Sequence, residues 1–401
     1  MHNCKNLMAS RFVGFGEAML RLAPQDAANA YGQGNPSSAA PMLFSVGGDE
    51  LNVMVAAAKL GVESEWVSIV PSGPLGDVVA RCASDAGVSI DRVSRPASED
   101  GGAQIGIFFV LPEQRRVEYV RRASAFCEQT MASARFGWDT ILRDSAGGRN
   151  VYVHATGITP MLGDGACGNW TKSMAAAERL GVPVVCDLNH RPQLGSLEEL
   201  WSRVAPVLGA IKILVLSRGS LAGLAALFEV AVPPAPAAVG DDWATAHHAE
   251  VATLALIHAR IGGPAVACCF KNRDTANVQR RWSVLIDGTG AHTTEALPIF
   301  HIAKDECGGG SAWACGIMHS LASASEKDGA DATARFSTGS NGLSCIEGIV
   351  DMCAAMRRAD LLAALCQEAV GDHSTVTMLQ LEAAEKRWAG SVAVFDDAHA
   401  F

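Results

Sequence analysis

The chain has 401 residues, of which 49% are hydrophobic and 18% are charged, so it is long and apolar enough to bury a substantial core. Its formal net charge of −10 argues against a surface that binds nucleic acid directly, although a phosphate site needs only local donors. No apolar run reaches the roughly 18 residues that a membrane-spanning helix needs.

The twelve cysteines form no Cys-x-x-Cys pair, and Cys268-Cys269 is adjacent inside an apolar run. This usage is typical of reduced thiols, so we expect an intracellular protein of the cytoplasm or an organelle matrix. The histidines are scattered apart from His247-His248, and we expect no metal site made of protein ligands.

The first third of the chain predicts strands, helices and a hairpin. A surface excursion is expected over residues 27–40, and the stretch from Ser45 to Asn52 is expected to open a helix. The predicted strands are 12–20 and 66–70, the helices are 53–60 and 76–86, and the hairpin pairs 104–111 with 116–121.

Beyond residue 150 the pattern alternates between apolar strands and helices, which is typical of a mostly parallel sheet covered on both faces. We therefore predict one α/β domain over residues 12–389, with loops at 232–242 and 323–331 and a loosely attached tail at 390–401. The predicted strands are 151–154, 182–186, 211–216 and 265–270, and the predicted helices are 169–180, 197–208 and 249–261.

Three successive glycines, Gly308, Gly309 and Gly310, separate a short apolar stretch from an apolar helical one. A glycine turn that feeds a helix presents unpaired N–H groups at the positive end of the helix dipole, which makes an anion hole. A plain turn is the alternative reading of three glycines.

The order Asp305-x-x-Gly308-Gly309-Gly310-x-x-Trp313-x-x-Gly316 resembles the carboxy-terminal signature of the pfkB (ribokinase-like) carbohydrate kinases. The resemblance implies a ribokinase-like α/β fold with a small β lid, contributed here by about residues 20–45 and 102–122. It also implies ATP and Mg²⁺ as cofactors of an active enzyme, and a homodimer through the lid as a candidate.

In that family the residue after the third glycine is an Asp that deprotonates the sugar hydroxyl, and here it is Ser311. A serine hydroxyl does not accept a proton at neutral pH unless another group activates it. Asp305 and Glu306 are near in sequence, but they precede the glycine turn and are not expected to reach the sugar.

The sugar-side motifs resemble those of the 2-keto-3-deoxygluconate kinase branch, in which an aromatic ring and arginines reach a keto acid. Each of these motifs also has a purely structural interpretation. Gly47 and Gly48 are then part of a helix cap, Arg121 is a solvated arginine on the hairpin, and the residues after 186 form a turn ordered for structural reasons. The implied substrate residues are Gly47, Gly48, Asn52, Phe108, Tyr119, Arg121, Asp187, Asn189 and Arg191.

The motifs on the phosphate side match the family pattern less well than the sugar-side motifs do. The family has Asn-x-x-Glu where this chain has Ser217 and Ser220, and residues 343–349, which would flank the adenine, lack the expected polar groups. Lys271 and Arg273 are candidate phosphate contacts or an exposed basic turn, and Asp305 completes the candidates on this side.

Two functions follow from this pattern. The first is a sugar-kinase-like protein with impaired catalysis, retained as a ligand-binding or structural subunit of a larger assembly with protein partners and a sugar acid as candidate ligand. The second is an active ATP-dependent kinase of 2-keto-3-deoxygluconate or a related sugar acid that uses an unusual base.

Overall fold

The computed structural model describes residues 10–25, 41–96, 104–111, 116–129, 136–146, 149–231, 243–273, 278–294, 299–328, 336–339, 343–347 and 351–388. The predicted excursion at 27–40, the loop at 232–242 and the tail at 390–401 lie outside these ranges. None of the helices in these ranges is long and apolar enough to cross a membrane.

The described ranges contain strands and helices that alternate through most of the chain. The strands are β1 (Ser10–Phe15), β2 (Met19–Pro24), β3 (Met42–Gly47), β4 (Glu63–Ile69), β5 (Val93–Ser94), β6 (Ile107–Leu111), β7 (Arg116–Val120), β8 (Asn150–Thr156), β9 (Val184–Asp187), β10 (Ile211–Leu216), β11 (Ala265–Arg273), β12 (Val278–Asp287), β13 (Gly290–Thr293), β14 (Ile299–Ile302), β15 (Phe336–Thr338) and β16 (Ser344–Ile346). The helices are α1 (Asp49–Lys59), α2 (Pro74–Asp85), α3 (Ala125–Gln129), α4 (Trp138–Ala146), α5 (Asp164–Leu180), α6 (Leu197–Val204), α7 (Arg218–Leu227), α8 (Trp243–Ile261), α9 (Gly309–Asp328), α10 (Met352–Gln367) and α11 (Met378–Trp388).

A ten-stranded sheet forms the centre of the molecule, in the order β13-β12-β11-β10-β9-β8-β1-β4-β5 with β14 beside β12. Within this sheet the neighbouring strands β11, β10, β9, β8, β1, β4 and β5 pair in parallel. In contrast, β12 pairs antiparallel with its neighbours β11, β13 and β14. This confirms the predicted α/β fold with a mostly parallel central sheet.

Helices cover both faces of the central sheet, because parallel strands are apolar on both sides. On one face α1, α9 and α10 pack around the fully buried Trp313. On the other face α4 to α8 pack around a second core that contains the fully buried Trp170. The carboxyl ends of the parallel strands, where open α/β sheets place their sites, lie between these layers.

A second sheet of four strands, in the order β3-β2-β6-β7, forms the lid. Its inner face buries Met19, Ala23, Phe108 and Val110, and Cys307 of the glycine turn packs against them. The lid therefore touches the turn that leads into α9.

Two predicted elements differ from the structure. The strand predicted over 12–20 is two strands, because the carbonyl of Gly16 accepts bonds from Trp66 Nε1 (3.1 Å) and Ser68 Oγ (2.7 Å) and the chain then crosses to the lid. The loop predicted over 323–331 is wrong for residues 323–328, which continue α9. The polar residues do not end this helix, since buried Ser325 pairs its hydroxyl with Tyr152 at 3.0 Å.

Candidate active site

Gly308 is the last residue of the turn between β14 and α9, and Gly309 and Gly310 are the first two residues of α9. Gly308 has φ +73°, a left-handed conformation that favours glycine, and a Cβ there would lie 2.3 Å from the carbonyl oxygen of Asp372. A Cβ on Gly309 would meet the amide of Gln367 at 2.8 Å. The first N–H groups of α9 have no partner within the helix, so the turn can hold an anion such as a transferring phosphate.

Ser311 lies in the first turn of α9, and its side chain is buried. It follows Gly310, whose Cα faces the carboxyl end of β9. A Cβ on Gly310 would have Asp187 Oδ2 as its nearest neighbour, at 3.9 Å. The carboxylate nearest Gly310 therefore comes from the central sheet.

Asp305 is tied into the base of the turn. Its Oδ1 accepts from the Cys307 N–H (3.1 Å), its Oδ2 accepts from the Gly371 N–H (3.0 Å), and the guanidinium of Arg21 forms a close buried ion pair with it. These contacts occupy the carboxylate that the sequence places among the phosphate-side candidates, so we assign it to shaping the turn.

The glycines at the start of α1 are crowded by neighbouring elements. A Cβ on Gly47 would lie 2.5 Å from Asp372 Oδ2 and 2.9 Å from Phe108 Cζ, and a Cβ on Gly48 would lie 2.3 Å from the carbonyl oxygen of Glu17. The Gly48 N–H donates to Asn52 Oδ1 at 3.3 Å. The predicted substrate glycines therefore lie where the lid, α1 and the loop after α10 meet.

Arg121 points into the junction between lid and sheet. Its Nε donates to Glu17 Oε2 at 2.8 Å, and Ser124 donates to the other oxygen of the same buried carboxylate. The guanidinium lies 5.5 Å from the ring centroid of Tyr119, whose ring lies 6.0 Å from that of Phe108. Burial raises the pKa of Tyr119, while the charges of nearby arginines lower it.

The residues after β9 form a polar network with α1 and β8. The Asn189 N–H donates to Asp187 Oδ1 (2.9 Å), and Asn189 Nδ2 donates to Asp49 Oδ2 (2.7 Å). The other oxygen of Asp49 lies 3.2 Å from His154 Nε2. The charge of Arg191 lowers the pKa of Asp49 and of Asp187. The buried Nε of Arg191 has no hydrogen-bond partner among the described residues.

This network shifts the pKa values of Asp187 and Asp49 in opposite directions. Burial and the charge of Asp49 raise the pKa of Asp187 to about 7. Burial opposes ionisation of Asp49 as well, but the hydrogen bond and charge of His154 outweigh it and lower the pKa of Asp49. Burial likewise opposes the imidazolium of His154, and Asp49 outweighs it, so the pKa of His154 is raised.

The two serines of the phosphate side bond to each other. Ser217 caps α7, its Oγ accepting from the Ser220 N–H at 3.1 Å and lying 3.1 Å from Ser220 Oγ. Lys271 forms an ion pair with Glu306 at 3.5 Å, and the side chain of Arg273 lies outside the described part of the chain.

These residues fit a phosphate better than a metal. The glycine turn offers backbone donors to a phosphate group, whereas the hydroxyls of Ser217 and Ser220 do not supply the carboxylate charge that orders hydrated Mg²⁺. The described residues contain no group of three His, Cys, Asp or Glu side chains that could hold a metal ion. Of the predicted adenine-flanking segment, residues 343–347 are described, and the Ile346 N–H bonds Asp287 Oδ2 at 3.1 Å.

Five residues of this region were missed by the sequence analysis: Glu17, Arg21, Asp49, His154 and Asp372. Asp49 could have been found, because it directly follows the two predicted substrate glycines. Asp372 follows Gly371 in a turn-like stretch, but nothing local connects that stretch with the glycine turn. Burial and the charge of Asp305 raise the pKa of Asp372 to about 7, although Arg21 and a hydrogen bond from Asn52 lower it.

Residues 10–206 match the pfkB family of carbohydrate kinases. The chain contains a PfkB domain. A 2-dehydro-3-deoxygalactonokinase of Haloferax volcanii is 27% identical over 212 residues, which are 52% of this chain and 61% of that relative's length.

Solved structures show the same fold along nearly the whole chain. The 2-dehydro-3-deoxygluconokinase of Thermotoga maritima superposes with a TM-score of 0.73 at 22% identity, covering 95% of this chain and 99% of that one. A fructokinase with bound ATP from Xylella fastidiosa superposes with a TM-score of 0.66 at 20% identity, covering 94% and 99%. The PfkB match contains the sugar-side residues and ends before Ser217 and Ser311.

Proposed function

We propose that this chain is a carbohydrate-binding protein with a PfkB kinase fold and strongly impaired phosphoryl transfer, retained for ligand binding or as a subunit of an assembly. Ser311 at the start of α9 carries this proposal, because the resemblance assigns the proton acceptor to that position. Loss of a general base typically slows a reaction by roughly 10²–10⁴-fold.

The ligand that we propose is a 2-keto-3-deoxy sugar acid, since the named relatives act on 2-dehydro-3-deoxy sugar acids. Arg191 supports this choice, whereas Arg121 is already paired with the buried carboxylate of Glu17. The buried Nε of Arg191 lacks a protein partner among the described residues, and an arginine pairs well with a carboxylate. The ring of Tyr119 offers an apolar surface to the carbon chain of such a ligand.

The phosphoryl side supports weak transfer. The amides of Gly309 and Gly310 would hold the transferring phosphate, which ATP supplies when bound. Ser217 and Ser220 are hydrogen-bonded to each other at the end of β10. Their hydroxyls are neutral and add no charge there. Positioning without a well-placed base leaves a slow reaction.

An active sugar-acid kinase is the second candidate, and one contact favours it. Asp187 Oδ2 lies beside Gly310, so a carboxylate is present near the phosphate-binding turn.

The lid supports a partner proposal as well. Phe44 on β3 is 51% exposed and Val120 on β7 is 62% exposed, and these strands are the two edges of the lid sheet. Exposed apolar residues on sheet edges invite pairing with another chain, so we propose a homodimer through the lid.

Calorimetric titration and a coupled kinase assay test the proposed function together. We expect saturable binding of 2-keto-3-deoxygluconate or 2-keto-3-deoxygalactonate without nucleotide, weakened at least tenfold in Arg191→Ala. Arg92→Ala, which changes a half-exposed arginine outside the cleft, is the matched control. Absence of sugar binding, or turnover in the range of about 1–100 s⁻¹ typical of kinases, would overturn the proposal.

A further inference from the structure

Several carboxylates surround the cleft, and their contacts distinguish them. Both oxygens of Asp49 are engaged, by His154 and by Asn189. Asp305 is engaged by Arg21 and by backbone N–H groups. Asp372 is paired with Arg21, whose Nε lies 2.9 Å from Oδ1. These three carboxylates are committed to the structure of the site.

Glu50 is committed as well. One oxygen of this buried carboxylate accepts from Thr156 Oγ1 at 2.7 Å and from Thr159 Oγ1 at 2.9 Å. The other lies within 2.1 Å of the position of a Cβ on Gly16, which places the carboxylate behind the turn that leaves β1.

Asp187 differs from these groups. Its Oδ1 accepts from the Asn189 N–H, which fixes the carboxyl group at the end of β9, and its Oδ2 faces Gly310. Gly310 is exposed and is directly followed by Ser311. One oxygen of Asp187 thus lies beside the glycines that begin α9.

We propose that Asp187 accepts the proton of the sugar hydroxyl in place of residue 311, and so carries the slow phosphoryl transfer that remains. This inference rests on the proposed function, because it requires that the sugar binds in this cleft. The sugar oxygen forms a bond to the γ-phosphorus of ATP, and its proton passes to Asp187 Oδ2. The bond from the γ-phosphorus to the β-bridging oxygen breaks, and its electron pair leaves on ADP.

The surroundings of Asp187 suit a proton acceptor near neutral pH. The charged groups that face it are Asp49 from α1, His154 from β8 and Arg191 from the following loop, and the thiols of Cys268 and Cys269 lie on β11. Burial and the charge of Asp49 raise its pKa to about 7, so the ionised form is well populated at neutral pH and is more basic than an ordinary aspartate.

Wild type, Asp187→Asn, Ser311→Asp and the double variant test this assignment, with the exposed Asp91→Asn as control. We expect Asp187→Asn to lower kcat at least 100-fold, and Ser311→Asp to restore turnover in the Asp187→Asn background. The control should match wild type within twofold.

Sugar binding without nucleotide gives a readout that is separate from activity. The affinity of wild type should rise as pH increases through about 7, because the ionised Asp187 accepts a hydrogen bond from the sugar hydroxyl, and Asp187→Asn should lose this dependence. Asp49→Asn should move the midpoint to lower pH, since it removes a neighbouring negative charge. This second variant keeps the test valid if Asp187→Asn does not fold.

The outcomes separate the two proposals. Unchanged turnover or an unchanged pH dependence of binding in Asp187→Asn overturns the role of Asp187. The role of Asp187 is also overturned if wild type binds the sugar but shows no turnover while Ser311→Asp is active. That outcome leaves the proposed function standing. Failure of wild type to bind the sugar overturns the proposed function itself.

Discussion

Arg21 Nε lies 2.9 Å from Asp372 Oδ1, and both side chains are buried. Arg21 belongs to lid strand β2, whereas Asp372 follows α10, so this pair joins the lid to the main domain. The same guanidinium pairs with Asp305 at the base of the glycine turn. The position of the lid and the shape of the anion hole therefore depend on one arginine.

Arg21→Met should destabilise the fold strongly. It leaves two carboxylates buried without their cation, and breaking a buried ion pair from one side costs about 3–5 kcal/mol. The free energy of unfolding from urea titration measures this cost. Arg95→Ala is the matched control, because its pair with Asp77 is exposed and such pairs contribute about 0–1 kcal/mol.

The double variant Arg21→Met/Asp372→Asn adds a second check. Removing one of the two carboxylates should recover part of the lost stability, since less uncompensated charge is buried. Equal stabilities of Arg21→Met and Arg95→Ala would contradict this role of Arg21.

Asp360 should make the stability of the core depend on pH. Burial raises its pKa to about 6, while bonds from Ser283, Thr294 (2.8 Å) and Trp313 Nε1 (3.0 Å) lower it. The folded state therefore holds this proton more tightly than the unfolded state. The contribution of Asp360 is fully present below about pH 4 and is lost as the pH rises to about 6.

Urea titrations of wild type and Asp360→Asn between pH 4 and 7 measure this effect. The shift in pKa corresponds to about 2–3 kcal/mol, which should appear as a change in the stability difference between the two proteins. Other raised carboxyls affect both proteins equally. Parallel pH curves would show that Asp360 does not titrate as described.

Asn189 has φ +42°, a left-handed conformation that costs other non-glycine residues about 1–2 kcal/mol. Asn189→Ala and Asn189→Gly both lose the side-chain bond to Asp49, but only alanine retains the backbone strain. We expect Asn189→Ala to be less stable than Asn189→Gly by about 1 kcal/mol in thermal or urea unfolding. A glycine variant that is less stable than the alanine variant would argue against this conformation.

Phe44→Lys should weaken the proposed lid dimer. The change places a charge on exposed edge strand β3 without removing a core contact, since Phe44 is 51% exposed. Sedimentation velocity over a range of concentrations should show a shift from dimer to monomer. Leu379→Lys, at a 73% exposed position on α11, is the control for the same change away from the lid. A wild type that is monomeric throughout would contradict the proposal.

The parallel sheet and the turn before α9 could be predicted because their signals are local. An apolar strand, a turn and an amphipathic helix follow one another in the chain, and three consecutive glycines mark where α9 begins. The position of Ser311 follows from the same motif. The branch of kinases that the sugar-side motifs resemble also agrees with the named relatives.

The charge pairs of the cleft could not be predicted, because their partners are remote in sequence. Arg21 and Asp305 are separated by 284 residues, and Arg121 and Glu17 by 104. The division of the first predicted strand is hidden for the same reason, since Trp66 and Ser68 on another strand bind the carbonyl of Gly16. Spacing alone does not show which remote group will neutralise a buried charge.

The rate of ATP-dependent phosphorylation of 2-keto-3-deoxygluconate by wild type and by Ser311→Asp tests the central claim most directly. We predict that Ser311→Asp raises kcat by roughly 10²–10⁴-fold with little change in the KM for the sugar, because it returns a proton acceptor to the first turn of α9. A wild-type kcat of about 1–100 s⁻¹ that Ser311→Asp leaves unchanged would contradict the account.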